Sequence, residues 1–223
     1  MTRALGIIAG TALILLFATL LLVVMPTIQL QTGRNPPEAL QPWTASELAG
    51  RDHYISLGCV YCHSQQPRDP SQAPDTARGW GRASVPSDYS YDTTHLLGTM
   101  RTGPDLFNIG ARQPSVDWHL THLYQPRAVS PGSNMPAYPF LFRDTDFLGE
   151  QIEVKIPDEY LPSQVSKYIV PTDQALELVD YLLSLDRTYP AEELPEAAPE
   201  SDEASDALSK GLSDTTQVRD ISR

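Results

Sequence analysis

Cys59-Val60-Tyr61-Cys62-His63 is the stretch on which the reading of this chain turns. Its two thiols stand one helical turn apart, the spacing needed to bond the two vinyl groups of a haem, and the adjacent histidine is placed to reach the iron. A zinc ribbon would need a second cysteine pair, and a thioredoxin-like redox site would need a βαβ setting; the sequence offers neither. Its only two cysteines lie in this motif, so no disulfide is available and a covalent haem c is expected to help hold the fold.

Working outward, Thr44-Ala45-Ser46-Glu47 carries a capping-box signature and predicts a helix that the haem motif closes near Gly58. Gly50 and Tyr54, at i and i+4, resemble the glycine and aromatic by which the first helix of cytochromes c crosses the last at close range, which implies Leu178 and Tyr181 as partners. After the motif, residues 64–98 show no clear period and are too long for an ordinary connection, which predicts a functional insertion wrapping the domain. Ser115 to Tyr124 reads as a short capped helix that stops before Gln125-Pro126. Gln151 to Ile156 alternates weakly, as a short strand would, and Thr172 caps a strong amphipathic helix through Leu185.

The ends have other compositions. Residues 4–25 carry no charge and would rise about 33 Å as a helix, enough to cross the hydrocarbon layer. The run exceeds a usual signal core, and Val23-Val24-Met25-Pro26-Thr27 lacks a small-residue cleavage site, so a retained anchor is expected rather than a cleaved leader. Arg3, the only charge ahead of it, puts residues 1–3 in the cytoplasm and the rest outside a bacterial plasma membrane, on the periplasmic or outer side. Residues 26–42 form a proline-rich linker, residues 43–188 the haem domain, and residues 189–223 a tail. From Thr188 onward nine acids face three bases, so the tail supplies half of the net charge of -12 and is expected to be disordered.

An electron-transfer haem needs a second axial ligand, and Met1 and Met25 are spoken for by the start and the anchor, which leaves Met100 and Met135. His53, His95, His119 and His122 are further candidates; His119 and His122 sit on what reads as a surface helix, where solvated or hydrogen-bonded histidines are expected. His119 with His122 and Asp117 is too few ligands for a separate metal site. The residues alone leave the choice open.

Resemblance narrows it. Gly103-Pro104-Asp105-Leu106 looks like the loop of class I cytochromes c whose proline carbonyl accepts the proximal histidine's Nδ1 proton, which pairs Pro104 with His63. The short helix, Gln125-Pro126 and Pro131-Gly132-Ser133-Asn134-Met135 resemble that family's approach to its axial methionine, which makes Met135 the sixth ligand and Met100 an exposed or packing residue. Trp118 either donates its indole N-H to a haem propionate, as in related cytochromes, or belongs to the core. The implied fold is mainly α, a class I cytochrome c-like domain with a long loop insertion on one N-terminal transmembrane helix.

Gly58 to Gln65, Arg101 to Leu106, Asp117-Trp118-His119 and Ser133-Asn134-Met135-Pro136-Ala137-Tyr138-Pro139-Phe140-Leu141 together resemble the membrane-bound monohaem second subunit of cbb3-type cytochrome c oxidases, the FixO/CcoO family. The resemblance runs from about Gly50 to Leu141; the segment from Phe142 to Pro171 and the tail depart from it. It implies a non-catalytic subunit that takes electrons from a cytochrome c donor, often a dihaem subunit, and passes them to a polytopic haem-copper subunit that reduces oxygen. The insertion, with Arg78-Gly79-Trp80-Gly81 and Tyr89-Ser90-Tyr91-Asp92, would contact that subunit, and a calcium ion would be shared with it near Gly98-Thr99. Nucleic acid is not among the expected partners. Competing readings are the electron-entry cytochrome of a nitric oxide reductase-like complex and a free-standing anchored carrier. A haem sensor or peroxidase would need an open sixth position, which His63/Met135 closure denies.

Overall fold

The structure is a computed structural model that describes residues 2–32, 36–161 and 168–190. The N-terminal helix runs through α1 (Thr2–Thr19), a π-helical stretch (Leu20–Val24) and α2 (Met25–Thr32). It therefore continues beyond residue 25, where the sequence suggested a linker, and Ala4–Gln29 is long and apolar enough to cross a membrane. Pro26 lacks an N-H and its ring crowds the carbonyl four residues back, and the π turn just before it is a usual way for a helix to absorb such an interruption. The hydroxyls of Thr19 and Thr27 donate to the carbonyls of Leu15 and Val23 at 2.8 and 2.7 Å, so neither is left unsatisfied on an apolar surface.

The globular part is mainly helical. α3 (Ala45–Ser56) starts on the predicted capping box, with the Glu47 amide donating to Thr44 Oγ1 at 3.3 Å and the Thr44 amide to Glu47 Oε2 at 2.6 Å. α4 (Ile109–Arg112) is a single turn. α5 (Val116–Tyr124) is capped by Ser115 and ends before Pro126, which opens another single turn, α6 (Pro126–Val129). β1 (Phe142–Thr145) and β2 (Tyr168–Pro171) pair antiparallel, and α7 (Asp173–Ser184) follows on its Thr172 cap.

The alternating run at Gln151 to Ile156 is not a strand. It runs beside β2 and, among the described residues, joins it through Val154 N to Ile169 O at 2.8 Å, before Pro157 interrupts the run. Of the tail expected to be disordered, Tyr189 is tied to the globular part through Arg82 and Asp88, at 2.9 Å each, and residues 191–223 lie outside the described residues.

α7 organises the core because two glycines let other elements touch its main chain. A Cβ on Gly50 would stand 1.8 Å from the Glu177 carbonyl oxygen and 2.8 Å from Tyr181 Cβ, so α3 crosses α7 at backbone distance. A Cβ on Gly110 would stand 2.0 Å from the Leu183 carbonyl oxygen, and the Gly110 amide donates to Leu185 at 3.0 Å. Around these contacts Tyr54, Leu120, Leu141, Val170, Leu178, Val179 and Tyr181 are fully buried, and the rings of Tyr54 and Trp43 each lie 5.5 Å from that of Tyr181. Burial of such side chains contributes about 1.5–3 kcal/mol apiece, the dominant favourable term.

The long insertion has a single 3₁₀ turn at Pro86–Tyr89 and is held by buried carboxylates in place of an apolar core. Asp88 takes both arms of the Arg82 fork at 2.6 and 2.9 Å, the Val85 amide at 2.7 Å and the Tyr189 hydroxyl at 2.9 Å. Asp75 takes the Arg68 amide at 2.8 Å and Arg101 at 2.7 Å. Tyr89 closes the segment onto the haem motif by donating to the Gln65 carbonyl at 2.6 Å.

Candidate functional site

Local geometry explains how the motif presents its groups. Leu57 ends α3, Gly58 turns out of it with a φ of 79°, a left-handed conformation that glycine adopts without strain, and Cys59–Tyr61 form one 3₁₀ turn. The amides of Cys62 and His63 both return to the Cys59 carbonyl, at 3.1 and 3.0 Å, so two thiols and an imidazole project from a single turn. Cys59 is half-buried, and burial pushes its thiol up to about 11; Cys62 is exposed.

A second segment closes on this turn from residues 101–107. The Gly103 amide donates to Cys62 O at 2.9 Å and the Leu106 amide to Ser64 O at 2.8 Å, forming a short two-point strap. His63 Nδ1 lies 2.7 Å from the Pro104 carbonyl oxygen, which can only accept, so Nδ1 carries the proton and Nε2 is left to bind elsewhere. Gly103 lies against the imidazole: a Cβ there would be 2.3 Å from Cε1, 2.7 Å from Nδ1 and 2.9 Å from Nε2. Burial holds the His63 pKa below the ordinary histidine value, partly offset by the Pro104 bond, which favours the neutral, ligating form.

Other elements approach the same turn. Met135, Tyr138, Leu57, Cys59 and Val60 are partly buried and pack against the common core. The Met135 loop is braced by the Met135 amide on Ser133 Oγ at 3.2 Å and the Tyr138 amide on Leu123 O at 2.9 Å. The Tyr138 phenol is raised first by burial and then by the two neighbouring thiols, so this loop lies within electrostatic reach of the motif. Met100, by contrast, is exposed.

Trp118 is half-buried, its ring stacked on His122 at 4.7 Å and edge-on to His119 at 5.2 Å. α5 is not the surface helix that its histidines suggested. His119 is buried with Nε2 on the Gln113 carbonyl at 2.9 Å, and His122 is half-buried and driven down to about 4 by burial and by the neighbouring His119 and His63. His53 instead reaches Glu177 on α7 at 2.8 Å. Among the described residues no group of three or more His, Cys, Asp or Glu gathers where protein side chains alone would hold a metal ion.

Two features escape any reading of the sequence. Arg112 donates through one guanidinium nitrogen to the Asp105 carbonyl oxygen, while its buried Nε has no hydrogen-bond partner, and His122 Nδ1 is buried and unpartnered as well. A buried donor left unpaired costs about 1–3 kcal/mol, so Arg112 Nε marks a place prepared for an acceptor, which His122 Nδ1 also serves in the tautomer that carries its proton. Both side chains lie within electrostatic reach of His63. Nothing in the local sequence flags Arg112. A porphyrin with anionic side groups fits this donor set, because it supplies acceptors for the unpaired nitrogens and vinyl carbons for the free thiols.

No curated protein matches the chain. A family model described as cytochrome C oxidase, mono-heme subunit/FixO matches residues 2–161, which takes in the N-terminal helix, the haem motif, the Gly103-Pro104 strap and the Met135 loop, and extends past Leu141 where the motif resemblance ended. The chain therefore belongs to the FixO family, the mono-haem subunits of cytochrome c oxidase.

Proposed function

We infer that this chain relays single electrons from a cytochrome c donor, a dihaem subunit being one such donor, to a polytopic haem-copper subunit that reduces oxygen. The observation that carries this is the bond from His63 Nδ1 to the Pro104 carbonyl at 2.7 Å, which fixes the tautomer of the motif histidine and frees its other nitrogen for a metal.

In this reading Cys59 and Cys62 would attach haem c covalently, His63 and Met135 would hold its iron, and the domain over residues 43–188 is a class I cytochrome c-like fold. Haem would supply a one-electron couple when bound, and a thioether ligand from Met135 would raise its potential. Arg112, His122 and Trp118 hold its anionic edge; the unpaired Arg112 Nε and His122 Nδ1 support the first two. Gly103 sets how closely the strap lies on the His63 ring.

The N-terminal helix anchors the domain in a plasma membrane, with Arg3 inside and the haem domain on the periplasmic or outer side. A calcium ion shared with the catalytic subunit at Gly98-Thr99 belongs to the same reading; this chain would offer main-chain oxygens and the partner the charged ligands. Family membership supports oxygen over nitric oxide as the partner's substrate.

Purification of the anchored complex tests the whole. The expected result is a co-purifying polytopic haem-copper chain, one haem c that stays on this chain after denaturation, and cytochrome-dependent oxygen consumption. A complex that consumes nitric oxide and not oxygen, or a chain that releases its haem on denaturation, would overturn it.

A further inference from the structure

The strap that orients His63 is itself supported by a buried row of charges. Asp105, which follows Pro104 and is fully buried, accepts the Ser64 hydroxyl at 2.5 Å and the Gln66 amide at 2.8 Å on one oxygen and the Phe107 amide at 2.9 Å on the other. Burial pushes the Asp105 carboxyl above the ordinary aspartate value, and the three donors around it together with Arg101 pull the other way, towards the carboxylate. Arg101 bridges from there into the insertion. Its Nε donates to Ser64 Oγ at 3.1 Å, one arm lies 3.9 Å from Asp105, and the other binds Asp75 at 2.7 Å, with Trp80 beneath the guanidinium at 5.3 Å.

Asp75 and Asp105 are 0% exposed and the Arg101 side chain is 14% exposed, so solvent screens this row far less than a surface ion pair. It begins one residue after His63, at Ser64, and one residue after the carbonyl that accepts the His63 proton. Arg78, 3.9 Å from Asp75, and Arg112, on the Asp105 carbonyl, flank the row, so fixed charges of both signs stand on the proximal side and each is felt at the centre with its own sign.

We propose that the Asp75-Arg101-Asp105 row sets the redox potential of the His63-bound centre, with the two carboxylates lowering it and Arg101 raising it. These are positioning and field-setting residues that act through Ser64 and Pro104 and do not touch the iron. A one-electron centre gains a positive charge on oxidation, so a fixed carboxylate nearby favours the oxidised form and a fixed guanidinium the reduced form. The row also gives the insertion a role in electron transfer, since Asp75 lies within it and Arg101 just beyond its end. The proposal rests on the haem assignment above.

The test is a spectroelectrochemical titration of the full-length holo-protein in detergent, comparing wild type with Asp105→Asn, Asp75→Asn and Arg101→Gln, and with Asp69→Asn as an exposed carboxylate control. Both Asp→Asn variants are expected to raise the midpoint potential and Arg101→Gln to lower it. Each change should alter the reduced-to-oxidised ratio at a fixed applied potential by about threefold or more, which is about 30 mV at 59 mV per tenfold for one electron.

A row that only holds the loop together would loosen the site in every variant and move all potentials in one direction; that result, or potentials matching the Asp69→Asn control, overturns the proposal. Should Asp105→Asn fail to mature with haem, the opposite signs of Asp75→Asn and Arg101→Gln still decide. A wild-type spectrum without six-coordinate haem c would overturn the haem assignment and this proposal with it, whereas an intact spectrum without shifts would overturn this proposal alone.

Discussion

Gly103→Ala places one methyl group where the structure leaves no room. The new Cβ would lie 2.3 Å from Cε1 of His63 and within 3 Å of both ring nitrogens, against ordinary contacts of 3.4–4 Å, so ring and strap must separate by about 1 Å. Neither side gives easily. The strap is pinned by Gly103 N on Cys62 O at 2.9 Å and Leu106 N on Ser64 O at 2.8 Å, and the ring by its 2.7 Å bond to Pro104. Overpacking of this kind costs about 1–3 kcal/mol, and losing the Nδ1 bond adds about 0.5–1.5 kcal/mol. A total of about 3 kcal/mol lowers Tm by roughly 6–12 °C for a domain of this size. The control is Gly79→Ala, where a Cβ meets nothing within 4 Å and only the φ of 74° is strained, which costs about 1–2 kcal/mol. Thermal unfolding of both holo-variants and the ligation-sensitive absorption of the reduced form are the assays. A Gly103→Ala protein with wild-type Tm and an unchanged spectrum would show that the strap does not bear on His63 as described.

Gly50→Ala should destabilise the domain by about 3 kcal/mol in denaturant titration, because its Cβ meets α7 main chain at 1.8 Å and the two helices must move apart. Met135→Ala should remove the far-red methionine-iron band and open the iron to carbon monoxide; retention of the band would exclude Met135 as a ligand. Arg112→Gln should lower the midpoint potential and Arg112→Lys should recover part of the loss, since a half-buried cation near His63 favours the reduced state. Burial holds His119 below the ordinary value of 6.5, so the unfolded chain takes up this proton first. Its contribution to stability is complete above about pH 6.5 and is lost as pH falls from there through the folded value; His119→Gln should flatten the stability curve in that window, measured by denaturant midpoints.

The caps were legible because each is an interaction over three or four residues. Thr44, Ser115 and Thr172 begin α3, α5 and α7 where a hydroxyl followed by a helical pattern said they would. The same holds for the turn that carries Cys59, Cys62 and His63, where the Tyr61, Cys62 and His63 amides all donate to carbonyls within four residues. The weak alternation at Gln151 to Ile156 misled because a strand is defined by its neighbour, and among the described residues β2 joins this run at Val154 without forming a ladder. The π stretch that carries the N-terminal helix through Pro26 likewise depends on geometry that composition does not encode.

By itself, then, the sequence determined the C-x-x-C-H motif, the three helix caps and an apolar segment long enough to cross a membrane, and its resemblance to class I cytochromes c implied that Gly103-Pro104 belongs beside His63. Only the tertiary structure decided which histidines of α5 are buried, that Gly103 touches the imidazole, that Arg112 Nε and His122 Nδ1 wait unpaired, and that Asp75, Arg101 and Asp105 form one buried row. The physical reason is range: caps and turns are set by neighbours along the chain, whereas burial, unpaired donors and charge rows arise between segments as distant as Ser64 and Asp105, or Gly50 and Glu177, and exist only once the chain has closed on itself.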